Sequence, residues 1–178
     1  GASMGAHTAL WLALNDPDRV AGLVVITPGY DPGRIDDPAR LARWDALADG
    51  LERGRVDGFL AAYGTPQVAE KWRETVLRVI RQRLSLHEHP EALADALRVV
   101  PRSRPFGALD ELGALDVPAV VVASRDEADP EHPLALGEAY ARSIPGARLI
   151  TEETGRSPIA WQGSQLSRVI AELAAEAE

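Results

Sequence analysis

The chain opens Gly1-Ala2-Ser3-Met4-Gly5 and continues without a break through Ala6-His7-Thr8-Ala9-Leu10-Trp11-Leu12-Ala13-Leu14-Asn15. A Gly-x-Ser-x-Gly sequence opening a helix predicts a nucleophile elbow, a tight strand-to-helix turn that holds a serine hydroxyl clear of the backbone. Gly1 and Gly5 sit two residues either side of Ser3. Both are expected to be glycine because a β-carbon there would collide as the chain reverses, and because glycine tolerates strained dihedrals. The helix points its amino end at Ser3. Its free N–H groups and positive dipole end favour an oxyanion, with the N–H of Met4 as the natural donor.

Working outward, Asn15-Asp16-Pro17-Asp18-Arg19 breaks the helix, and residues 20–26 form an aliphatic run that reads as a buried parallel strand. The loop Thr27-Pro28-Gly29-Tyr30-Asp31-Pro32-Gly33 is dense in turn-formers and leaves the carboxyl edge of the sheet, where doubly wound proteins bind ligands. Tyr30 either faces that pocket, as a substrate-binding residue, or packs beneath the loop. From residue 36 to about 101 the pattern is helical only. Asp37-Pro38 starts a helix with Leu41, Trp44, Leu47, Ala48 and Leu51 at helical spacing. A second helix is expected over 56–63, a third along the stripe Val68, Trp72, Val76, Val79, Ile80 and Leu84, and a fourth over 90–99. The tryptophan stripes read as core. His87 and His89 flank Glu88 without a nearby third ligand, which reads as an inter-helix loop rather than a metal site.

After residue 105 the sheet pattern returns. Residues 109–115 predict a short helix or turn, 117–123 a strand buried on both faces, 134–144 a helix, 147–150 a last strand, and 161–175 a closing helix with Leu166, Val169, Ile170 and Leu173 inward. Between strand and helix lies Ser124-Arg125-Asp126-Glu127-Ala128-Asp129-Pro130-Glu131-His132-Pro133.

Composition bounds these readings. A chain of 178 residues with 46% hydrophobic and 26% charged residues suits a globular domain with a real core. No apolar run reaches the roughly 18 residues that span a bilayer. The formal net charge of −8 makes nucleic acid and anionic membrane surfaces poor partners. Cysteine is absent, which excludes disulfides, thiolate metal sites and a cysteine nucleophile, and a cytoplasmic setting is the expectation.

Elbow, buried helix, Pro-Asp turn and aliphatic strand, in that order, resemble the centre of an α/β-hydrolase. "Asp-Val-Pro" before the strand at 117–123, the Asp-Pro-x-x-Pro turn over 129–133, and "Ile-Pro-Gly-Ala-Arg-Leu" before residue 150 resemble that family's later elements. The resemblance implies an α/β fold: the carboxyl-terminal part of an α/β-hydrolase, with a parallel sheet flanked by helices and an inserted all-helical cap. Its expected division is core over 1–31, cap over 32–104 and core over 105–178. It implies a serine hydrolase acting on an ester, thioester or other small acyl compound through Ser3, with no metal or organic cofactor. Asp129 is the first choice for the acid and Asp126 the second, although both also suit turns and helix caps. In this family the elbow lies mid-chain, so the resemblance also implies that the strand feeding Ser3 is absent. A missing amino-terminal half, or another chain, is then expected to cover the open sheet edge.

One departure limits the carry-over. Where the family has a histidine after the last strand, this chain reads Gly155-Arg156-Ser157-Pro158. A guanidinium stays protonated in proteins, so Arg156 can bind an anionic ligand or pair with Asp129 but cannot serve as a base. Three readings stand: His132 supplies the imidazole from the acid loop, the missing half supplies it, or the protein is a non-catalytic relative that binds a small ligand under the cap. His7, one helical turn after Ser3, reads as a packed residue with one hydrogen bond.

Overall fold

Three aliphatic segments carry the sheet: Leu23–Ile26 (β1), Ala119–Val122 (β2) and Arg148–Ile150 (β3) in this computed structural model, which describes residues 1–177. They pair in parallel in the order β1-β2-β3, with Val24 opposite Val120 and Val120 opposite Arg148. Parallel strands flanked by helices bury both faces, which is why β2 reads Ala-Val-Val-Val and is buried along its whole length. The elements follow the chain as Met4–Asn15 (α1), β1, Pro38–Tyr63 (α2), Glu70–Ser85 (α3), Pro90–Val99 (α4), β2, Leu134–Ser143 (α5), β3 and Gly163–Glu176 (α6), with a 3₁₀ segment over Leu109–Ala114 ahead of β2.

The strand that leads into Ser3 is present in its last residues. Ala2 bridges in parallel to Ile26, the Ile26 N–H donates to the Gly1 carbonyl and the Ser3 N–H donates to the Ile26 carbonyl, each at 2.9 Å. The expectation that this strand is wholly absent is corrected to that extent.

Side chains alternate across the pleat. Ile26, Val120 and Val122 share a core cluster with Val169 and Leu173 of α6 and with Ile159. α6 presents Val169 and Leu173, with Leu166 half-buried beside them. Ile170, expected inward, is 47% exposed, because the seam follows positions 166, 169 and 173 and leaves 170 on its shoulder. α5 approaches β2 closely: a β-carbon on Gly137 would lie 2.6 Å from the Ala123 β-carbon. α1 buries Ala6, Leu10 and Ala13 and leaves Trp11 half exposed, so its apolar residues are not all covered here.

The described chain divides into two compact units, Gly1–Gly33 with the residues from Arg104 onward, and Arg34–Ser103. The second is all helix. Asp37 caps α2 by accepting from the N–H groups of Ala39 and Arg40. α2 breaks at Gly54 and Arg55, and the two halves fold so tightly that a β-carbon on Gly58 would lie 2.0 Å from the Gly50 carbonyl oxygen. The two helices expected in this region are these two halves. Leu47, Ala48, Leu51, Phe59, Ala94 and Leu97 form its core, with Trp44 and Tyr63 packed against them. Arg98 of α4 binds Asp49 and Glu52 of α2 at 2.7 Å each, and Arg102 binds Asp45 at 2.7 Å. Among the described residues, no helix is long and apolar enough to cross a membrane.

Candidate functional site

Ser3 stands where β1's neighbouring strand ends and α1 begins. Its backbone has φ 49° and ψ −115°, a left-handed conformation that a side chain rarely adopts and that costs about 1–3 kcal/mol. Gly1 makes the turn possible, since a β-carbon there would lie 2.2 Å from the Gly5 carbonyl oxygen. Gly5 is different. A β-carbon on Gly5 would meet nothing within 4 Å, so the expected steric demand on both glycines holds for Gly1 alone.

The Ser3 hydroxyl lies 2.8 Å from His132 Nε2. On the far side of the ring, Nδ1 is 2.9 Å and 3.0 Å from the two carboxylate oxygens of Asp129. Both side chains are mostly sheltered, His132 23% and Asp129 16% exposed. The Asp129 carboxylate can only accept, so it holds the ring proton on Nδ1, which leaves Nε2 free to accept from the serine hydroxyl. Local structure sets the pair: Asp129 and His132 are three residues apart in one turn after β2, where the His132 N–H donates to the Asp129 carbonyl at 3.2 Å. Met4 is the first residue of α1, and its N–H meets no acceptor among the described residues.

The other residues singled out in the sequence lie elsewhere. Asp126 accepts from the Leu134 N–H at 2.7 Å and so caps α5 instead of touching the imidazole. Arg156 is 76% exposed, with Glu153 as its ion partner at 4.0 Å, and does not pair with Asp129. Its loop is nevertheless tied to the acid loop, because Glu127 accepts from the Gly155 N–H at 2.7 Å.

Tyr30 does not face a pocket. It is 2% exposed, donates its hydroxyl to the Phe106 carbonyl at 2.6 Å, and gives its own carbonyl to the Tyr140 hydroxyl at 2.6 Å. Its ring is edge-on to Phe106, so aromatic packing and both hydrogen bonds hold it in the core. Burial pushes the Tyr140 hydroxyl's pKa well up, which keeps it a donor. His7 is tied more firmly than the one hydrogen bond expected: its Nε2 alone accepts from the N–H groups of Gly29 at 3.3 Å and Tyr30 at 2.9 Å. Gly29 lies beside the His132 ring, close enough that an added β-carbon would stand 3.0 Å from its Cδ2, a proximity that the turn-rich sequence around it does not announce.

His87 and His89 lie between α3 and α4, in the second unit, and His89 is 3.4 Å from Glu91 with both side chains exposed. Among the described residues, no group of three or more His, Asp or Glu side chains could hold a metal ion.

No protein-family model matches the chain. Solved structures do. The chain is similar to a thermophilic esterase from Thermogutta terrifontis, solved with malate bound, at 28% identity and a TM-score of 0.75, covering 99% of this chain and 64% of that one. It is similar to MenH from S. aureus at 19% identity and a TM-score of 0.75, covering 99% of this chain and 67% of that one. An enol-lactonase from Burkholderia xenovorans LB400 matches at 20% identity and a TM-score of 0.58, over 98% of this chain and 64% of that one. The last two likenesses speak for the fold alone. The chain spans about two thirds of the length of the solved structures it matches.

Proposed function

We propose that this chain, which has the fold of the α/β-hydrolases over about two thirds of their length, is a serine hydrolase of ester, thioester or related small acyl substrates, acting through Ser3, His132 and Asp129. The observation that carries this reading is the continuous chain of contacts from the Ser3 hydroxyl through His132 to Asp129 at 2.8 and 2.9 Å.

In the proposed mechanism His132 Nε2 takes the serine proton as Oγ attacks the acyl carbon, and the tetrahedral intermediate's oxyanion meets the Met4 N–H. The imidazolium, stabilised by Asp129, then protonates the leaving alkoxide or thiolate. The ester bond breaks and an acyl-Ser3 remains. Water attacks that acyl group with His132 again as base, releasing the acid and restoring the serine. A second oxyanion donor would come from a segment or chain on the sheet edge beside Gly1 and Ala2, the partner expected to complete the fold.

The rival reading, a ligand-binding relative without catalysis, drew its support from Arg156 in the family's histidine position. His132 supplies an imidazole that reading lacks, and an exposed Arg156 leaves an anionic ligand no enclosed site at that residue. Turnover of short p-nitrophenyl esters by the intact protein tests the proposal. Activity that disappears in both Ser3→Ala and His132→Ala supports it; activity retained in either removes that residue from the mechanism.

A further inference from the structure

Resting on the serine-hydrolase reading, we propose that His7 and Gly29 are positioning residues for His132, and that α1 thereby sets both the nucleophile and the surface against which the base rests.

The loop after β1 is the link. Thr27 adopts φ 40°, a strained value for a β-branched residue, and its N–H donates to the Val122 carbonyl at 2.7 Å. Pro28 is fully buried. Tyr30 is held at both ends by Phe106 and Tyr140, and the N–H groups of Gly29 and Tyr30 both point at His7 Nε2. A nitrogen that accepts two N–H groups carries no proton, so His7 is the neutral tautomer with its proton on Nδ1. His7 lies four residues after Ser3, one turn along the same helix.

Gly29 shows what this anchoring serves. A β-carbon there would stand 3.0 Å from His132 Cδ2 and 3.5 Å from Nε2. Its backbone φ is not in the left-handed region, so the turn itself does not require glycine. What favours it is the space taken by the edge of the imidazole that carries Nε2. The ring therefore has Asp129 at Nδ1, Ser3 at Nε2 and, beside Cδ2, a Gly29 that leaves room a β-carbon would take. An added methyl requires the imidazole to give by a few tenths of an ångström, which moves Nε2 relative to Ser3, and loss of the His7 acceptor frees the loop that carries Gly29. Misplacement of a reacting group by about 1 Å can cost about 100-fold in rate.

The test uses Gly29→Ala, His7→Phe, which removes the acceptor, and His7→Gln, which offers an amide oxygen in its place. Two readouts are taken on the intact protein: kcat and KM for a p-nitrophenyl ester, and the NMR resonances of the His132 imidazole, including its Nδ1–H. Gly29→Ala and His7→Phe are expected to lower kcat by about 10- to 100-fold with KM nearly unchanged, and to shift the His132 resonances; His7→Gln is expected to recover most of both. Unchanged His132 resonances in Gly29→Ala overturn the inference, as does a kcat within twofold of the parent in both Gly29→Ala and His7→Phe. The imidazole signal reports whether or not the protein turns over ester, so a protein inactive for another reason still tests the positioning, while activity retained in Ser3→Ala counts against the hydrolase reading alone.

Discussion

Replacing Asp129 by Asn separates charge from shape at the centre of the site. The two carboxylate oxygens stand 2.9 and 3.0 Å from His132 Nδ1, and asparagine fills the same volume while offering one oxygen and no charge. The difference matters when Nε2 takes the serine proton and the ring becomes cationic. A unit charge pair about 4 Å apart at an effective dielectric near 20 is worth about 4 kcal/mol, and each 1.36 kcal/mol of barrier is about one decade of rate. The amide can also turn its NH₂ toward Nδ1, which favours the tautomer with its proton on Nε2 and removes the base. We expect kcat/KM for a p-nitrophenyl ester near neutral pH to fall by about 10³-fold, with KM changing far less than kcat. Thermal unfolding by circular dichroism checks that the fold is intact. A loss smaller than about tenfold in a folded variant refutes the electrostatic argument.

Gly1→Ala is expected to disrupt the elbow, lowering stability by about 1–3 kcal/mol, while Gly5→Ala leaves the melting temperature and turnover nearly unchanged, because only the first β-carbon meets backbone. Arg156→Ala and Arg156→His are both expected to keep kcat within a few-fold of the parent, since that guanidinium makes no contact with Asp129; a large loss in steady-state assays would return Arg156 to the site. In the helical unit, hydrogen bonds from Arg102 and Arg98 hold the carboxyl pKa values of Asp45 and Glu52 below their ordinary values. Depressed carboxylate pKa values contribute stability that is present above about pH 4–5 and is lost as pH falls through the folded-state values. Acid titration of the melting temperature should therefore be less steep in Arg98→Met than in the parent.

The sheet was legible because its chemistry is local. Aliphatic runs bounded by Pro and Gly mark β1, β2 and β3 to within a few residues, and Asp37-Pro38 marks the start of α2. The candidate site was legible in its parts and not in its assembly. Asp129 and His132 share one turn, but their meeting with Ser3 spans 129 residues of chain, and no local pattern records such an approach. Tyr30 shows the same limit from the other side. Turn-formers around it locate a loop at the sheet's edge, yet its position is decided by the Phe106 carbonyl 76 residues away and by Tyr140. Asp126 and Asp129 both suit turns and caps, and the Asp-Pro-x-x-Pro turn ranks Asp129 first; the structure puts Asp126 at the α5 amino end and Asp129 at the imidazole.

The central claim is that Ser3 is a nucleophile activated by His132. Fluorophosphonate labelling of the intact protein, followed by peptide mass mapping, tests it most directly, because the probe phosphonylates an activated serine and leaves ordinary hydroxyls alone. A single adduct is expected on the peptide containing Ser3, absent in Ser3→Ala and formed orders of magnitude more slowly in His132→Ala. An unlabelled Ser3 in the folded protein, or labelling that proceeds at the parent rate in His132→Ala, would contradict it.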